Sequence, residues 1–389
     1  MLRILVGIFL LLLLLQYAGG WFAQRYDRTH NRVRPDTSLP PPSQAALDLH
    51  RSLLVADLHA DPLLWKRDLS HRQPWGQVDL PRLQEGNVGL QVFGAVTKTP
   101  RNMNYASNEA STDNITLLAI ASGWPGSTWR SLMQRALYMA QKLDDLQRAS
   151  EGGLAIIHNR RELDRLVAER AAGNGTIGAI LSLEGSHALE GKLENVDVLF
   201  HAGYRMLGLA HFFDNAVSGS AHGMQRYGLT ELGRQVVRRA EALGMAIDAS
   251  HASPAAIRDL LDMATRPVVF SHTGVTAVCA QHDRNLDDET LARLSANGGV
   301  AGIGLWDEAT CGPGLDAFFR NLDHAVEVAG IDHVGLGSDF DGSVTTPIDA
   351  SGWPLVTDGL LRRGYSEAEI RKLMGGNAVR VLGETLPAE

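Results

Sequence analysis

The feature that most constrains this chain is a recurring one: apolar runs of strand length, each closing on a His, Asp or Glu. The first is Leu53 to Asp61, Leu-Leu-Val-Ala-Asp-Leu-His-Ala-Asp. Residues two apart on a strand share a face, so His59 and Asp61 converge on one point above its C-terminal end. An imidazole beside a carboxylate suits zinc and other borderline divalent ions. One such triplet is common by chance. Five later apolar runs repeat the pattern, ending at Glu184, His211, His251, His272 and Asp339.

After Leu53 to Asp61, the runs Gly89 to Val96, Ile177 to Leu183, Tyr204 to Ala210, Met245 to Ser250, Pro267 to Ser271, Val300 to Leu305 and His333 to Ser338 complete a set of eight strands. Helical patterns lie between most of them, such as Glu231 to Leu243 and Leu315 to Ala329, each stopping before a glycine, Gly244 or Gly330. This alternation predicts an α/β fold, a (β/α)8 TIM-type barrel, with strands covered on both faces. A doubly wound open sheet is the rival, but Asp57 to Pro62 offers no glycine-rich phosphate turn after the first strand. Thr97 to Gly153, between strands 2 and 3, is too long for an ordinary loop and reads as an insertion, with a helix over Ser127 to Gln147 and a small extra strand near Leu154 to His158.

Seven ionisable residues at six strand ends are hard to explain structurally, because gathered at one barrel mouth without a metal they would be poorly solvated and mutually repelling. The set exceeds the three protein ligands of a single catalytic zinc. Two ions fit better, with Glu184 as the shared carboxylate, since it follows a buried strand and precedes the space-clearing Gly185. Lys98 is the nearest candidate for a carboxylated-lysine bridge and ranks below Glu184. His222, in Gly219-Ser220-Ala221-His222-Gly223, is a loop residue that can face the pocket; the remaining histidines read as structural. Asp341, two residues past Asp339, reads as a less buried decoy.

The rest of the chain bears on address and partners. A net charge of -8 and a pI near 6.0 leave no basic stripe, which excludes nucleic acid as a partner. Ile4 to Gly20 is almost wholly apolar and follows only Arg3. It reads either as a signal peptide with Ala18-Gly19-Gly20 at the cleavage positions, or as an uncleaved anchor with Trp21-Phe22 at the interface. The expected organisation is therefore 1–24 signal or anchor, 25–43 linker, and 44–389 catalytic barrel. Export to a periplasmic or other extracytoplasmic space follows, with membrane contact through the N-terminal segment where it is kept. In an oxidising compartment Cys279 and Cys311 either pair or stay as two buried thiols.

The chain resembles the renal or membrane dipeptidases, a family of binuclear zinc peptidases. The likeness lies in Asp57-Leu58-His59-Ala60-Asp61, Leu183-Glu184-Gly185, Leu209-Ala210-His211, Asp248-Ala249-Ser250-His251, Phe270-Ser271-His272, Arg284-Asn285-Leu286 and Gly337-Ser338-Asp339-Phe340-Asp341-Gly342. It implies that His59 and Asp61 hold one zinc and His251 and His272 the other, with Glu184 bridging. It further implies that His211 contacts substrate, Arg284 binds the substrate's terminal carboxylate, Asp339 handles protons, and Cys279 and Cys311 form a disulfide. Ala60, where family members often carry Asn, and the segment after His211, Phe212-Phe213-Asp214-Asn215, depart from the pattern and bear on side-chain preference.

The expected activity is hydrolysis of short free dipeptides by a metal-activated water. The rival activities are another binuclear barrel hydrolase, acting on a lactone, cyclic amide or phosphoester, and a non-catalytic binding protein. The expected partners are a small dipeptide and, in a homodimer, a second copy of the chain.

Overall fold

In a computed structural model, residues 2–36 and 40–389 are described, with the side chains of residues 2–15 outside the description. Eight parallel strands form the barrel: β1 Val55–Ala60, β2 Val88–Val96, β3 Ile177–Glu184, β4 Tyr204–Gly208, β5 Ala246–Asp248, β6 Val269–Thr273, β7 Val300–Ile303 and β8 Val334–Leu336. Consecutive strands pair in order, and Leu336 of β8 pairs with Asp57 of β1, which closes the ring. Every residue of these strands is buried, as expected of strands covered by side chains inside and helices outside. The barrel is the one the alternation predicts, with strand bounds shifted by a few residues at most.

Local chemistry sets the helix ends. Thr230 caps Glu231–Leu243 by accepting from the Gly233 amide, and Gly244 ends it at φ 79°, a left-handed turn that glycine adopts at little cost. Ser253, Asp287 and Ser43 cap their helices in the same way.

The insertion between β2 and β3 holds the expected helix, Leu132–Ala149, and the expected small strand, Leu154–Ile156. That strand pairs with the start of β3 on the edge where β4 takes over further up. A second helix, Ile115–Ser122, lies in the first half of the insertion, for which no element was expected. Its core-facing residues Ile115 and Ala119 are buried, so packing decides its fold.

Before the barrel, one helix runs from Leu2 to His30. Among the described residues no helix is long and apolar enough to cross a membrane; the apolar run Ile4 to Gly20 falls largely on side chains outside the description. The stretch expected as a linker, 25–43, is bound to the barrel over its first part. Asp27 and Asn31 are buried, and Arg32–Val33 pairs in parallel with Thr345–Thr346. The reason is ionic. Asp27 meets the Arg67 guanidinium at 3.0 Å, a partner far away in sequence.

Candidate metal centre and active site

The residues singled out at the strand ends do meet at the C-terminal mouth of the barrel. His59 and His272 sit within β1 and β6, Asp61 and Glu184 at the ends of β1 and β3, and His211, His251 and Asp339 three residues past β4, β5 and β8. Glu184 Oε1 is the centre of the group. His251 Nε2 lies 3.1 Å from it, His211 Nε2 3.5 Å, and His59 and His272 Nε2 3.6 Å each. His59 Nε2 is also 3.3 Å from Asp61 Oδ2 and 3.9 Å from Asp339 Oδ1. His251 and His272 bring their Nε2 atoms to 2.9 Å of each other.

Two glycines make room for this. A Cβ on Gly94 of β2 would come within 2.2 Å of Asp61 Oδ1, and one on Gly185 within 3.0 Å of His211 Cβ. Gly185 also has φ 95°, which turns the chain sharply away after Glu184.

Behind the ring, two aspartates hold the strand ends together. Asp57 accepts from the Ser338 amide at 2.8 Å, from Ser338 Oγ at 2.6 Å and from Gln91 Nε2 at 3.0 Å, tying β1 to the turn after β8. Asp248 accepts from the amides of Ser250 and Ser271, both at 3.0 Å, and from Ser271 Oγ at 2.6 Å. Ser271 Oγ in turn lies 2.9 Å from His272 Nδ1, which fixes that ring with Nε2 facing Glu184. The signal for both was in the sequence: each is an acidic residue inside an apolar run.

The electrostatics call for cations. Burial, reinforced by Asp61 and Asp339, pushes the Glu184 carboxyl well above its usual range, and burial does the same to Asp339. Burial, with Arg284 nearby, holds His251 and His272 well below the usual imidazole value, so they stay neutral. For His59 burial acts the same way, but Asp61, Glu184 and Asp339 outweigh it and raise its pKa well above the ordinary value. Glu184 Oε2 and Asp61 Oδ1 are buried with no hydrogen-bond donor among the described residues. An anionic oxygen so placed is costly unless a cation meets it. Neutral imidazoles and donor-starved carboxylates are the metal-binding forms of these groups, and ligand atoms of His59, Asp61 and Glu184, of Glu184, His211 and His251, and of His59, His272 and Asp339 each gather within 4.8 Å. The residues present fit a divalent metal centre.

A cavity of about 840 Å³ opens over Asp61, Glu184, His211, His251 and Asp339, with His59, His272 and Arg284 buried behind this layer. Arg284 donates from Nη2 to the His272 carbonyl at 2.5 Å and leaves Nε without a partner among the described residues. Burial drives the His211 pKa down to about 4, and its Nδ1 faces the Lys98 carbonyl at 3.4 Å. Lys98 itself donates to the Ala110 carbonyl at 2.6 Å over the face of Phe213, outside the ligand ring, so Glu184 is left as the bridging candidate. His222 is wholly buried, stacked on Phe212 at 4.5 Å with Nδ1 on the Tyr105 carbonyl, and it supports the pocket from behind.

One expectation needs amendment. Asp341 is no less buried than Asp339: it is 0% exposed against 8%. It accepts from the Gln77 and Val78 amides and pairs with Arg67 at 2.8 Å, a structural post under the Asp339 turn. Sequence reasoning also missed Tyr105 and Trp306, which line the cavity with the Trp306 indole N–H on the Tyr105 hydroxyl at 2.8 Å. Tyr105 comes from the insertion, where no periodic pattern marks it. Cys279 and Cys311 are joined in a disulfide with Cα atoms 5.3 Å apart.

Residues 43–388 match the family model for membrane dipeptidase, peptidase family M19. The dipeptidase tcpJ of Claviceps purpurea is 32% identical over 321 residues, covering 79% of this chain and 69% of that protein. Among solved structures, the probable dipeptidase PvdM from Pseudomonas aeruginosa superposes with a TM-score of 0.73 at 22% identity, over 88% of this chain and 98% of its own. A metallo peptidase from Rhodobacter sphaeroides, liganded with a phosphinate mimic of the dipeptide L-Ala-D-Ala, gives 0.70 at 25% identity, over 86% and 99%. With its barrel, its ligand ring and this match along nearly the whole barrel sequence, the chain belongs to the membrane dipeptidase family.

Proposed function

We propose that this dipeptidase works with two zinc ions held by His59, Asp61, Glu184, His251 and His272, with Glu184 shared between them. The observation that carries the reading is the convergence of four imidazole nitrogens on one buried carboxylate oxygen, in a chain of dipeptidase lineage. When bound, the ions supply Lewis acidity toward the attacking water and the scissile carbonyl.

The chain's own residues do the rest. Asp339 borders the cavity on a turn with φ 59°, beside His59, and is placed to take the water's proton and return it to the leaving amine. His211 also borders the cavity. With its Nδ1–H toward the Lys98 carbonyl, it donates from Nε2 only when it carries both protons, a form that the growing oxyanion favours. The Arg284 guanidinium, with Nε still free, suits the carboxylate of a short free peptide. Export agrees with the disulfide and with the apolar N-terminal run.

Metal analysis and a turnover screen test this together. L,L and L,D dipeptides, N-blocked dipeptides and lactones are offered to chelated and zinc-restored enzyme. Free dipeptides should be cleaved only by the restored form, with two zincs per chain. Glu184→Gln should lose most of its metal and its activity; two retained zincs at full activity would reject the bridge, and a lactone preference would reject the substrate class.

A further inference from the structure

We propose that the segment ahead of the barrel, Phe22 to Arg34, is part of the substrate site: it walls the outer half of the cavity and makes the enzyme favour dipeptides with a large apolar side chain. This rests on the dipeptidase reading above and extends it to substrate class.

The cavity over Glu184, His211 and Asp339 does not end at the barrel rim. Its far side is formed by Phe22, Tyr26, His30 and Arg34, together with Leu117 and Leu118 from the insertion. Phe22, Tyr26 and His30 are four residues apart, so the helix places them one above another on a single face. Tyr26 stacks on His30 at 3.9 Å, and its ring lies 6.5 Å from Phe22 and 6.1 Å from Trp65. Trp65 is itself fixed by its indole N–H to the Asp341 carbonyl at 2.7 Å. Phe22 is 60% exposed, Leu117 56% and Tyr26 37%, among the most exposed large apolar side chains described. Uncovered apolar surface along the wall of a cavity is what an apolar ligand group covers.

The wall is built in rather than loosely placed. Asp27 is buried and ion-paired to Arg67, whose Nη2 reaches Asp341 at 2.8 Å. Asn31 donates to Asp27 at 2.8 Å and accepts from the Ser343 amide at 2.9 Å. Gln77 donates to both the Arg32 and Val344 carbonyls, at 2.9 and 3.0 Å. These bonds fasten the segment to the very loop that begins at Asp339. Higher up, Gly19 packs so closely that a Cβ there would lie 3.2 Å from Ala121 Cα. Cleavage at Ala18 to Gly20 would leave Phe22 to Arg34 in the mature chain.

The test compares Ala-Ala with Phe-Ala and Ala-Phe on the full-length zinc enzyme. It measures kcat and KM, and separately the calorimetric binding of phosphinate mimics of the same three dipeptides. Wild type should prefer a benzyl-bearing substrate and mimic. Phe22→Ala and Tyr26→Ala should each cut that preference roughly tenfold, chiefly through KM and phosphinate affinity, the scale on which apolar pockets discriminate. Tyr26→Phe should restore it, and Trp21→Ala, on the outward face, should leave it unchanged. Wild type without the preference, or a preference untouched in Phe22→Ala and Tyr26→Ala, overturns the wall. Wall-dependent phosphinate binding without turnover of any dipeptide would uphold the wall and reject the dipeptidase reading instead.

Discussion

The inner and outer halves of this cavity are built on different plans. The inner half is a ring of side chains set by the ends of six strands, each one or a few residues past an apolar run, so its geometry follows from the barrel. The outer half is assembled from chain segments remote from one another: a helix ahead of the barrel, the insertion between β2 and β3, and the loop after β8. The first kind of site is as rigid as the barrel. The second depends on buried polar braces such as Asp27 with Arg67 and Asp341, and it can change between relatives without disturbing the metal ring. Within one family, this allows a constant chemistry to be paired with differing substrate choice.

Asp339 and Asp341 test that division most sharply, because they sit two residues apart and belong to different halves. Asp339→Asn keeps the size of the side chain but removes the proton acceptor. If five other residues carry the metals, as proposed, it should retain two zincs and lose roughly 10² to 10⁴ in rate. Loss of metal would make Asp339 a ligand, and unchanged turnover would remove it from the chemistry. Asp341→Asn removes the charge that pairs with Arg67 and turns one of the two oxygens into an NH₂ group, which then faces either the Gln77 amide or the Val78 amide with Arg67, donors in both cases. Breaking a buried pair in this way costs about 3 to 5 kcal/mol of stability. Its signature is a lowered denaturation midpoint with a smaller loss of rate in the folded fraction, and the reverse order of effects in the two variants would merge the halves.

The same division explains what was legible in the sequence. His59, Asp61, Glu184, His211, His251, His272 and Asp339 could be found because strand period and strand end are local properties, readable from eight runs of apolar residues. The roles of Asp57 and Asp248 needed one further step, that an acid inside an apolar run must find donors, here Ser338 and Ser271. The burial of Asp341 was illegible because its partner Arg67 lies hundreds of residues away in the chain. Residues 26 to 34 are polar and basic and read as a linker for the same reason: what holds them is an ion pair, hydrogen bonds of the Asn31 and Gln77 side chains and a two-residue pairing with Thr345–Thr346, which leave no periodicity behind. Ile115–Ser122, nearly all apolar, carries no helical stripe that a pattern could reveal.

Arg284 belongs to the inner half by position and to recognition by chemistry. If its guanidinium clamps the substrate carboxylate, Arg284→Ala should slow free dipeptides on the order of ten- to a hundredfold, since a charge-assisted hydrogen bond is worth about 1.5 to 3 kcal/mol. Dipeptide amides, already poor substrates, should change little. Arg284 also bonds the carbonyl of His272, so an equal loss on both substrates, accompanied by lost zinc, would assign it to holding the ring.

The smallest effect concerns Lys142, which ties the insertion to the outer half. Its ammonium donates to the Leu63 and Trp65 carbonyls, just beneath the tryptophan that supports Tyr26. Burial, followed by repulsion from Arg67, lowers its pKa to about 7. The unfolded chain keeps this lysine protonated up to its ordinary value near 10.4. Between those two values the unfolded state therefore binds more protons than the folded one, and stability gains a contribution that rises with pH across that window. Below about pH 7 both states are protonated and the full cost of burying the charge is present. Lys142→Met keeps the length of the side chain and removes the charge, so it should raise the melting temperature at pH 6 and flatten the wild-type rise from pH 7 to 10. Melting curves of the two proteins at matched ionic strength decide it: parallel pH profiles would show that Lys142 keeps its proton in the fold, held by the two carbonyls.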